Sequence, residues 1–455
     1  MPNSEEPRPG LLERFGLGRP ELRAWAMYDW ANSAFMTTVI TVFFPIFFFD
    51  VYAAGVSNEV ATGRFAFATT IALAISAVLS PWLGALADFR AIKKRMLGIC
   101  LSLGVVSTAG LFFCRLGDWI PALVLFALGN IGASASLVFY DALLPHIASE
   151  KEMDRVSTAG YALGYLGGGV LLVVNVAWFL KPGWFGIPDQ ETAVRLSFLS
   201  VAVWWFVFTI PLFRRVSEPP RALEPDERVG MSPMRVACTR LLETIKALRS
   251  FRQALLFMVA FMIYNDGIGT IFRMAAIYGK ELKLSNQNLV MAILLVQFVG
   301  IPFAFAFGWL AGKIGTKPAI FIGLVCYVGI SVFGAFVTTA THFYLLAFAV
   351  AMVQGGTQAL SRSLFASMIP RHKSAECFAF FSVFEKFTGI LGPAVFGGMT
   401  ILTGSSHWAI LCVAIFFLVG GILLAFVRVE EGQRAAREAD AAALPLPDAV
   451  RMEAR

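Results

Sequence analysis

Twelve long apolar segments are the feature that most constrains the fold of this chain. Each is long enough to cross a membrane as a helix, which takes about 20 consecutive apolar residues. A polar stretch at 214–252 separates the first six segments from the last six. The sequence therefore predicts an all-α membrane protein with twelve transmembrane helices in two six-helix bundles. The predicted segments lie at 24–49, 64–87, 96–115, 119–147, 156–180, 194–213, 253–278, 287–311, 317–338, 342–369, 376–402 and 406–427.

The composition excludes several other classes of protein. Hydrophobic residues make up 58% of the chain and charged residues 15%, and the mean hydropathy is +0.71. Soluble domains carry about 25% charged residues, so a soluble enzyme and a nucleic-acid-binding domain are excluded. The six cysteines are scattered without metal-ligand spacing, and we expect no metal, no cofactor and no catalytic residues. The expected partners are the lipid bilayer and a small-molecule substrate, with the protein a monomer.

The positions of Lys and Arg predict which loops face the cytoplasm. Of the 37 Lys and Arg residues, 28 fall in the two tails, the central polar stretch and alternate loops, whereas six fall in the other loops. Cytoplasmic segments of membrane proteins are enriched in these residues. Both termini are therefore expected in the cytoplasm, with the protein in a bacterial inner membrane. The predicted organisation is an N-terminal tail at 1–23, a first bundle at 24–213, a linker at 214–252, a second bundle at 253–427 and a C-terminal tail at 428–455.

The two halves carry matching landmarks. The second and third segments are joined by GALADFRAIKKR from Gly84, and the eighth and ninth by GWLAGKIGTK from Gly308, an offset of 224 residues. The fourth and tenth segments end near Pro145 and Pro370, an offset of 225 residues. Repeated halves commonly place a transporter's substrate site between them, near the middle of the membrane.

The loop that begins at Gly84 resembles the signature loop of the major facilitator superfamily of transporters. The resemblance implies alternating access, in which the halves rock about a central site, and it makes Asp88 a latch between the halves at the cytoplasmic side. The second copy has Gly312 in place of Asp88, which implies a charge latch on one side only. Ala91-Ile92 stands where the superfamily often has a glycine, so a different turn is expected. The latch residues implied are Gly84, Asp88, Lys93, Lys94 and Arg95.

Longer motifs resemble one branch of that superfamily, the autophagy-related vacuolar effluxers. They are YDWANSAF from Tyr28, YNDG from Tyr264, GGTQALSRSLFASMIP from Gly355 and FFSVFEKFTGILGP from Phe380. The fungal member is associated with the release of amino acids from the vacuole, so the resemblance implies amino acids as the first substrate class. Two residues depart from the branch: Asp141 stands where Asn is commoner, and Glu385 where a small residue is usual.

Seven ionisable residues lie inside the predicted segments, where each costs about 2.5–3.5 kcal/mol on insertion scales. They are Asp29, Asp141, Asp266, Arg273, Arg362, Glu385 and Lys386. Four acids and three bases suggest pairing across a central cavity. Helical spacing puts most of them in polar stripes on the first, fourth, seventh and tenth segments, which the superfamily resemblance implies line the cavity. The predicted cavity residues are Asp29, Asn32, Asn130, Asp141, Asp266, Arg273, Gln358, Arg362 and Lys386.

Some of these residues have more than one interpretation. Asp29 and Asp141 lie toward the cytoplasmic ends of their segments and could simply reach the membrane interface. Arg362 could form a structural salt bridge with an acid as readily as contact a substrate. Lys386 and Asp266 are nearest the centres of their segments, and we predict that they lie at the centre of the cavity, as a functional site or as a structural pair.

The predicted function is secondary active transport of a small polar organic solute, amino acids first, by efflux and with coupling to protons. Arg is the better partner for a substrate carboxylate, because its guanidinium makes two parallel hydrogen bonds. One alternative is efflux of drug-like or lipid-like amphiphiles, although the intramembrane charges favour a polar solute. An alternative of another class is a membrane receptor or scaffold that does not transport. No Ser-His, metal or paired-acid motif indicates an enzyme.

Overall fold

The computed structural model of this chain describes residues 10–223, 251–281, 284–387, 391–403 and 406–445. It contains eleven helical segments that are long and apolar enough to cross a membrane. The helices of the first half are α1 Pro20–Ala34, α2 Asn58–Arg90, α3 Lys93–Gly110, α4 Trp119–Ile147, α5 Met153–Leu180 and α6 Gln190–Arg215. Those of the second half are α7 Arg252–Glu281, α8 Asn286–Ile314, α9 Thr316–Gly334, α10 Ala340–Ser367, α11 Ser374–Phe387, α12 Leu391–Thr403 and α13 Ser406–Phe426. The predicted segments agree with these helices to within two turns, and most of the predicted linker lies outside the described residues.

The first predicted span is not a single α-helix, and the eleventh is described in two parts. The first continues from α1 through π-helical turns at Phe35–Phe43 and Phe48–Tyr52, with the α-helical stretch Phe44–Phe47 between them. The eleventh consists of α11 and α12, which lie on either side of three residues outside the described part. Counting α11 and α12 as one span, the twelve-helix architecture agrees with the prediction.

A surface helix and a short strand pair follow the last span. The helix α14, Val429–Ala442, buries Gly432 and Ala436 and begins with two exposed glutamates. Ala222–Leu223 pairs in antiparallel fashion with Leu444–Pro445. The pair ties the start of the linker to the end of the described chain.

Glycines allow α5 to pack directly on α1. A Cβ atom at Gly164 would lie 2.7 Å from the Ser33 hydroxyl oxygen, and one at Gly167 would lie 2.4 Å from the Trp30 carbonyl oxygen. Only glycine fits such approaches, which small residues make possible between membrane helices. The close packing brings the polar face of α1 against α5.

The two halves meet along two seams. In the first seam α2 packs on α11, and in the second α5 packs on α8 and α10. A Cβ atom at Gly84 would lie 2.6 Å from the Ala375 carbonyl oxygen, so the first seam needs glycine there. Both seams end at the face that carries the α2–α3 and α4–α5 loops, residues 368–373 and α14; we call it the basic face. The halves are in contact at this face.

Candidate functional site

Arg362, on α10, is buried at the contact between the two halves. Its Nη1 donates to Asp141 Oδ1 at 3.1 Å and to Asp29 Oδ2 at 3.2 Å, and its Nη2 donates to Asp29 Oδ2 at 3.2 Å. Its Nε donates to Ser157 Oγ and its Nη2 to the Ser157 carbonyl oxygen, both at 2.9 Å. All five N–H groups of the guanidinium therefore have acceptors, and one side chain of the second half binds α1, α4 and α5 of the first.

Three aromatic rings surround the guanidinium. Its central carbon lies 4.8 Å from the ring centroid of Trp25, 5.6 Å from that of Tyr140 and 4.6 Å from that of Tyr161. Trp25 is four residues before Asp29 on α1, so the ring and the carboxylate share one helix face. The Tyr140 hydroxyl donates to Asp29 Oδ2 at 2.8 Å. Cation–π contacts and ion pairs thus hold the charge in a place that water does not solvate.

Asp29 and Asp141 do not reach the membrane interface as the sequence allowed. Their side chains are 12% and 19% exposed, and both bind Arg362. Both acids face inward, to a cation on the opposite half. We call Asp29, Asp141, Ser157 and Arg362 the central cluster. Breaking such a buried pair by removing one partner costs about 3–5 kcal/mol.

Glu385 and Lys386 lie beyond the central cluster on α11. Lys386 Nζ donates to Ser382 Oγ at 3.0 Å. Glu385 shares a helix face with Phe381 and Ser382, which are buried, yet Glu385 itself is exposed. It also interacts electrostatically with Arg362. An exposed carboxylate on an inward face indicates a polar space between the halves, and Glu385 belongs to the candidate site although it is absent from the predicted cavity residues.

Asp266 is not at the centre of that space. It is 1% exposed, and its Oδ2 accepts a hydrogen bond from the backbone N–H of Gly392 at 2.8 Å, at the start of α12. No ion pair joins Asp266 to Lys386 among the residues that the structure describes, so the predicted structural pair is not present there. The hydrogen bond to Gly392 ties α7 to α12 within the second half. Arg273 lies on α7, and its side chain is outside the described part.

The remaining predicted cavity residues are polar groups on three helices. Gln358 Nε2 on α10 donates to Asn265 Oδ1 on α7 at 3.4 Å. On α4, Ser134 Oγ donates to Asn130 Oδ1 at 3.4 Å. Asn32 is buried on α1, one turn beyond Asp29. Gln358 and Asn32 lie one turn from Arg362 and Asp29, whereas Asn130 lies about three turns from Asp141 along α4. The part of all three in transport stays a prediction.

Asp88, which the resemblance makes a latch residue, contacts both halves. Asp88 Oδ1 pairs with Lys93 Nζ at 2.6 Å, and the two carboxylate oxygens accept from the N–H groups of Ala375 at 3.3 Å and Glu376 at 2.8 Å. Asp88 thereby caps α11 of the other half. Ala91 adopts φ +53°, the left-handed conformation that glycine favours. The turn therefore keeps the shape that glycine would give it, contrary to expectation.

Two of the predicted latch residues have other surroundings. The Lys94 Nζ donates to the Phe213 carbonyl oxygen at 3.1 Å, and its backbone N–H donates to Glu218 at 2.9 Å. Lys94 thus ties α3 to the end of α6 within one half. Burial raises the pKa of Glu218, although the hydrogen bonds from Lys94 and Lys93 oppose this. Arg95 is exposed.

Asp154 is a contact residue that the sequence did not reveal. In the first turn of α5, its Oδ1 accepts from Ser363 Oγ on α10 and its Oδ2 accepts from Thr316 Oγ1 on α9 at 2.6 Å. It lies in the second seam, one turn from Ser157. Nothing in the sequence identifies its hydroxyl partners, because they lie on helices far from it along the chain.

In sequence, this chain is similar to known membrane transporters and vacuole effluxers. The profile of a family described as vacuole effluxer Atg22 like matches residues 18–437. The MFS-type transporter YxiO of Bacillus subtilis is 36% identical, over 92% of this chain and 97% of that protein. Autophagy-related protein 22 of Yarrowia lipolytica is 28% identical, over 62% of this chain and 51% of that protein. The chain thus spans nearly all of the Bacillus relative and about half of the Yarrowia relative.

Solved structures show the same fold. The proton:xylose symporter XylE has a TM-score of 0.66 at 14% identity, covering 94% of this chain and 98% of its own. A bacterial homologue of the iron transporter ferroportin, in an outward-facing state, has a TM-score of 0.61 at 14% identity, covering 90% and 98%. Both are similar to this chain in fold alone. With a family match over most of its length and this architecture, the chain belongs to the Atg22-like effluxer family of the major facilitator superfamily.

Proposed function

We propose that this protein exports a small polar organic solute, amino acids first, by alternating access coupled to protons. The observation that carries the proposal is the central cluster, in which one buried cation of the second half binds two acids of the first. Charges inside a membrane protein mark substrate and ion pathways more often than they add stability. An amphiphile site would be lined mostly by aromatic and aliphatic groups.

The central cluster must come apart whenever the basic face opens. Arg362 then leaves Asp29 and Asp141, and both sides need a new partner. A substrate carboxylate would replace the acids on the guanidinium through two parallel hydrogen bonds. A proton would neutralise an acid that has lost its cation, because an uncompensated charge is costly in a low dielectric. The proposed coupling lies in this exchange, because the acids bind a proton only while Arg362 is away from them.

Glu385 is the proposed partner for the substrate ammonium. It is exposed toward the polar space and lies within electrostatic range of Arg362. A zwitterion would thus have a cation at one end and a carboxylate at the other. Asp266 is less suited to this part because the start of α12 already uses its Oδ2.

The proposed location is a bacterial inner membrane, with both termini and the basic face in the cytoplasm. The charge bias of the loops supports this orientation. A reporter fused after Arg228 should then be cytoplasmic and one placed near Lys181 should be outside. The reverse pattern would contradict the orientation.

The function is tested by binding and then by flux. Purified protein is heated with amino acids, short peptides, sugars, phosphorylated solutes and amphiphilic drugs, and the ligands that raise its melting temperature are carried into proteoliposomes. We expect amino acids to be transported, faster with an imposed proton gradient, and Glu385→Gln to weaken recognition of zwitterions more than of anions. Transport of amphiphiles alone would favour the drug-like alternative. Binding without flux for any solute would favour the receptor alternative.

A further inference from the structure

A cavity of about 730 Å³ opens beneath α14 on the basic face. Small-molecule sites commonly have volumes of about 300–1,000 Å³. Four parts of the chain form its walls: the end of α4 with the α4–α5 loop, the start of the linker, residues 366–372 after α10, and α14. It is separate from the central cluster, and nothing in the proposed transport cycle uses it.

Two guanidinium groups of the cavity, those of Arg371 and Arg437, are not held by a strong ion pair in the described part of the chain. Arg221, Arg371 and Arg437 line it together with the acids Glu150 and Asp440. Arg371 forms no ion pair with any residue in the described part of the chain. Arg437 reaches Glu150 at 3.6 Å, with both side chains largely in solvent, so this pair is weak and exchangeable.

Asp440 is occupied by donors of its own. It accepts from the N–H groups of Arg371 at 3.1 Å and His372 at 3.4 Å, and His372 Nδ1 lies 2.9 Å from its Oδ1. Although burial opposes ionisation, the hydrogen bonds from His372 and Arg371 lower the pKa of Asp440. Its charge is therefore used within the wall, and the guanidinium groups of Arg371 and Arg437 remain to attract an anion.

We propose that this cavity binds a phosphate-bearing anion and that the bound anion holds the basic face closed. Guanidinium groups bind phosphate oxygens through paired, charge-assisted hydrogen bonds. Because the walls come from both halves, from the linker and from α14, an anion that bridges them stabilises only the conformation in which they are together. The phosphate belongs to a soluble phosphorylated compound or to the headgroup of an anionic lipid.

Binding is tested first, and this arm does not depend on the proposed function. The probe is inorganic pyrophosphate, added at constant ionic strength to the full-length protein in phosphatidylcholine nanodiscs, with melting temperature as the readout. We expect a rise for the wild type, at least a tenfold weaker response for Arg371→Gln and Arg437→Gln, and a wild-type response for the control Arg434→Gln. Arg434 lies one turn before Arg437 on α14, is exposed and does not line the cavity.

Nanodiscs that contain phosphatidylglycerol separate the two sources. The ligand is a lipid headgroup if phosphatidylglycerol alone raises the melting temperature. This rise should be lost in Arg371→Gln and kept in Arg434→Gln. Equal responses of all variants to both probes, or no response to either, would overturn the proposed site.

The conformational part rests on alternating access and uses Cys377 as its probe. Cys377 is buried in the first seam, next to the residue whose N–H binds Asp88. In a variant that keeps only this cysteine, the anion that binds should slow its alkylation at least threefold, and Arg371→Gln should remove the effect. Anion binding with unchanged alkylation would overturn the closing role while leaving both the site and the proposed transport intact.

Discussion

The two seams between the halves occupy equivalent places in the repeat but hold their charge at different depths. In the first, the ion pair of Asp88 and Lys93 lies at the basic face and caps α11. In the second, Asp154 at that face accepts from two hydroxyl groups and forms no ion pair within the described ranges, and the ion pairs lie deeper, where Arg362 meets the first half. The Gly312 position therefore marks a real asymmetry.

This difference indicates that the two seams have different functions. A carboxylate that binds a lysine and two backbone N–H groups at the face resists opening without touching the substrate space. A guanidinium that borders that space is available to a substrate as soon as its own acids release it. We infer that the first seam sets how readily the basic face opens, and that the second links opening to what is bound.

The largest effect should come from Arg362→Gln in the second seam. The change leaves Asp29 and Asp141 without their cation, at a cost of about 3–5 kcal/mol for a buried charge. Flux should fall to background at normal expression, and the melting temperature should drop. Arg362→Lys is the matched control, because it keeps the positive charge and loses the planar guanidinium with its paired donors. Compared with Arg362→Gln, it should regain more of the melting temperature than of the flux. Full flux in Arg362→Gln would remove the central cluster from the transport cycle.

Asp88→Asn should act on opening more than on substrate recognition. It keeps the side-chain shape and one acceptor but leaves Lys93 buried without a counter-charge. Alkylation of Cys377 should rise at least tenfold and flux should fall, with the substrate affinity changed less than twofold. Adding Lys93→Met removes the uncompensated cation and should restore stability without restoring the latch. Unchanged alkylation would leave Asp88 with no latch function.

Asp154→Asn should have a smaller effect than Asp88→Asn, although both acids lie at the same face. The amide can still accept from one hydroxyl, and the other can rotate, so about 0.5–1.5 kcal/mol should be lost. Alkylation of Cys377 should change less than threefold. If Asp154→Asn opens the face as strongly as Asp88→Asn, the two seams are equivalent and the comparison between them fails.

The smallest effect should come from Ala91→Gly in the first seam. Alanine in the left-handed conformation costs about 1–2 kcal/mol, and glycine removes this cost. Part of the gain is offset because glycine gives the unfolded chain more conformational entropy, which folding must remove. We expect a stabilisation of about 0.5–1 kcal/mol, seen as a small rise in melting temperature with flux unchanged. A lower melting temperature would mean that the alanine side chain makes a contact worth more than the backbone strain.

Several features of this protein followed from the sequence by itself. Segment lengths and the 224-residue repeat depend on local composition and chain order, and they predicted twelve spans in two halves. The resemblance of the loop at Gly84 implied the major facilitator fold. The motif around Asp88 is local too, since Asp88 and Lys93 lie on either side of the short turn between α2 and α3. Its partners on α11 were not predictable in detail, because Ala375 and Glu376 contribute only backbone N–H groups.

Only the tertiary structure decided which charges meet. Their depth in the predicted segments favoured Lys386 and Asp266 as the centre of the cavity. Depth does not determine the direction in which a side chain points, and the Asp266 carboxylate binds the N–H of Gly392 on α12. Arg362 binds Asp29 and Asp141 across separations of 333 and 221 residues. Such pairs depend on how each helix is rotated about its axis and on the close approach that glycines permit. The residue pattern within one helix determines neither. The hydroxyl partners of Asp154 were hidden for the same reason.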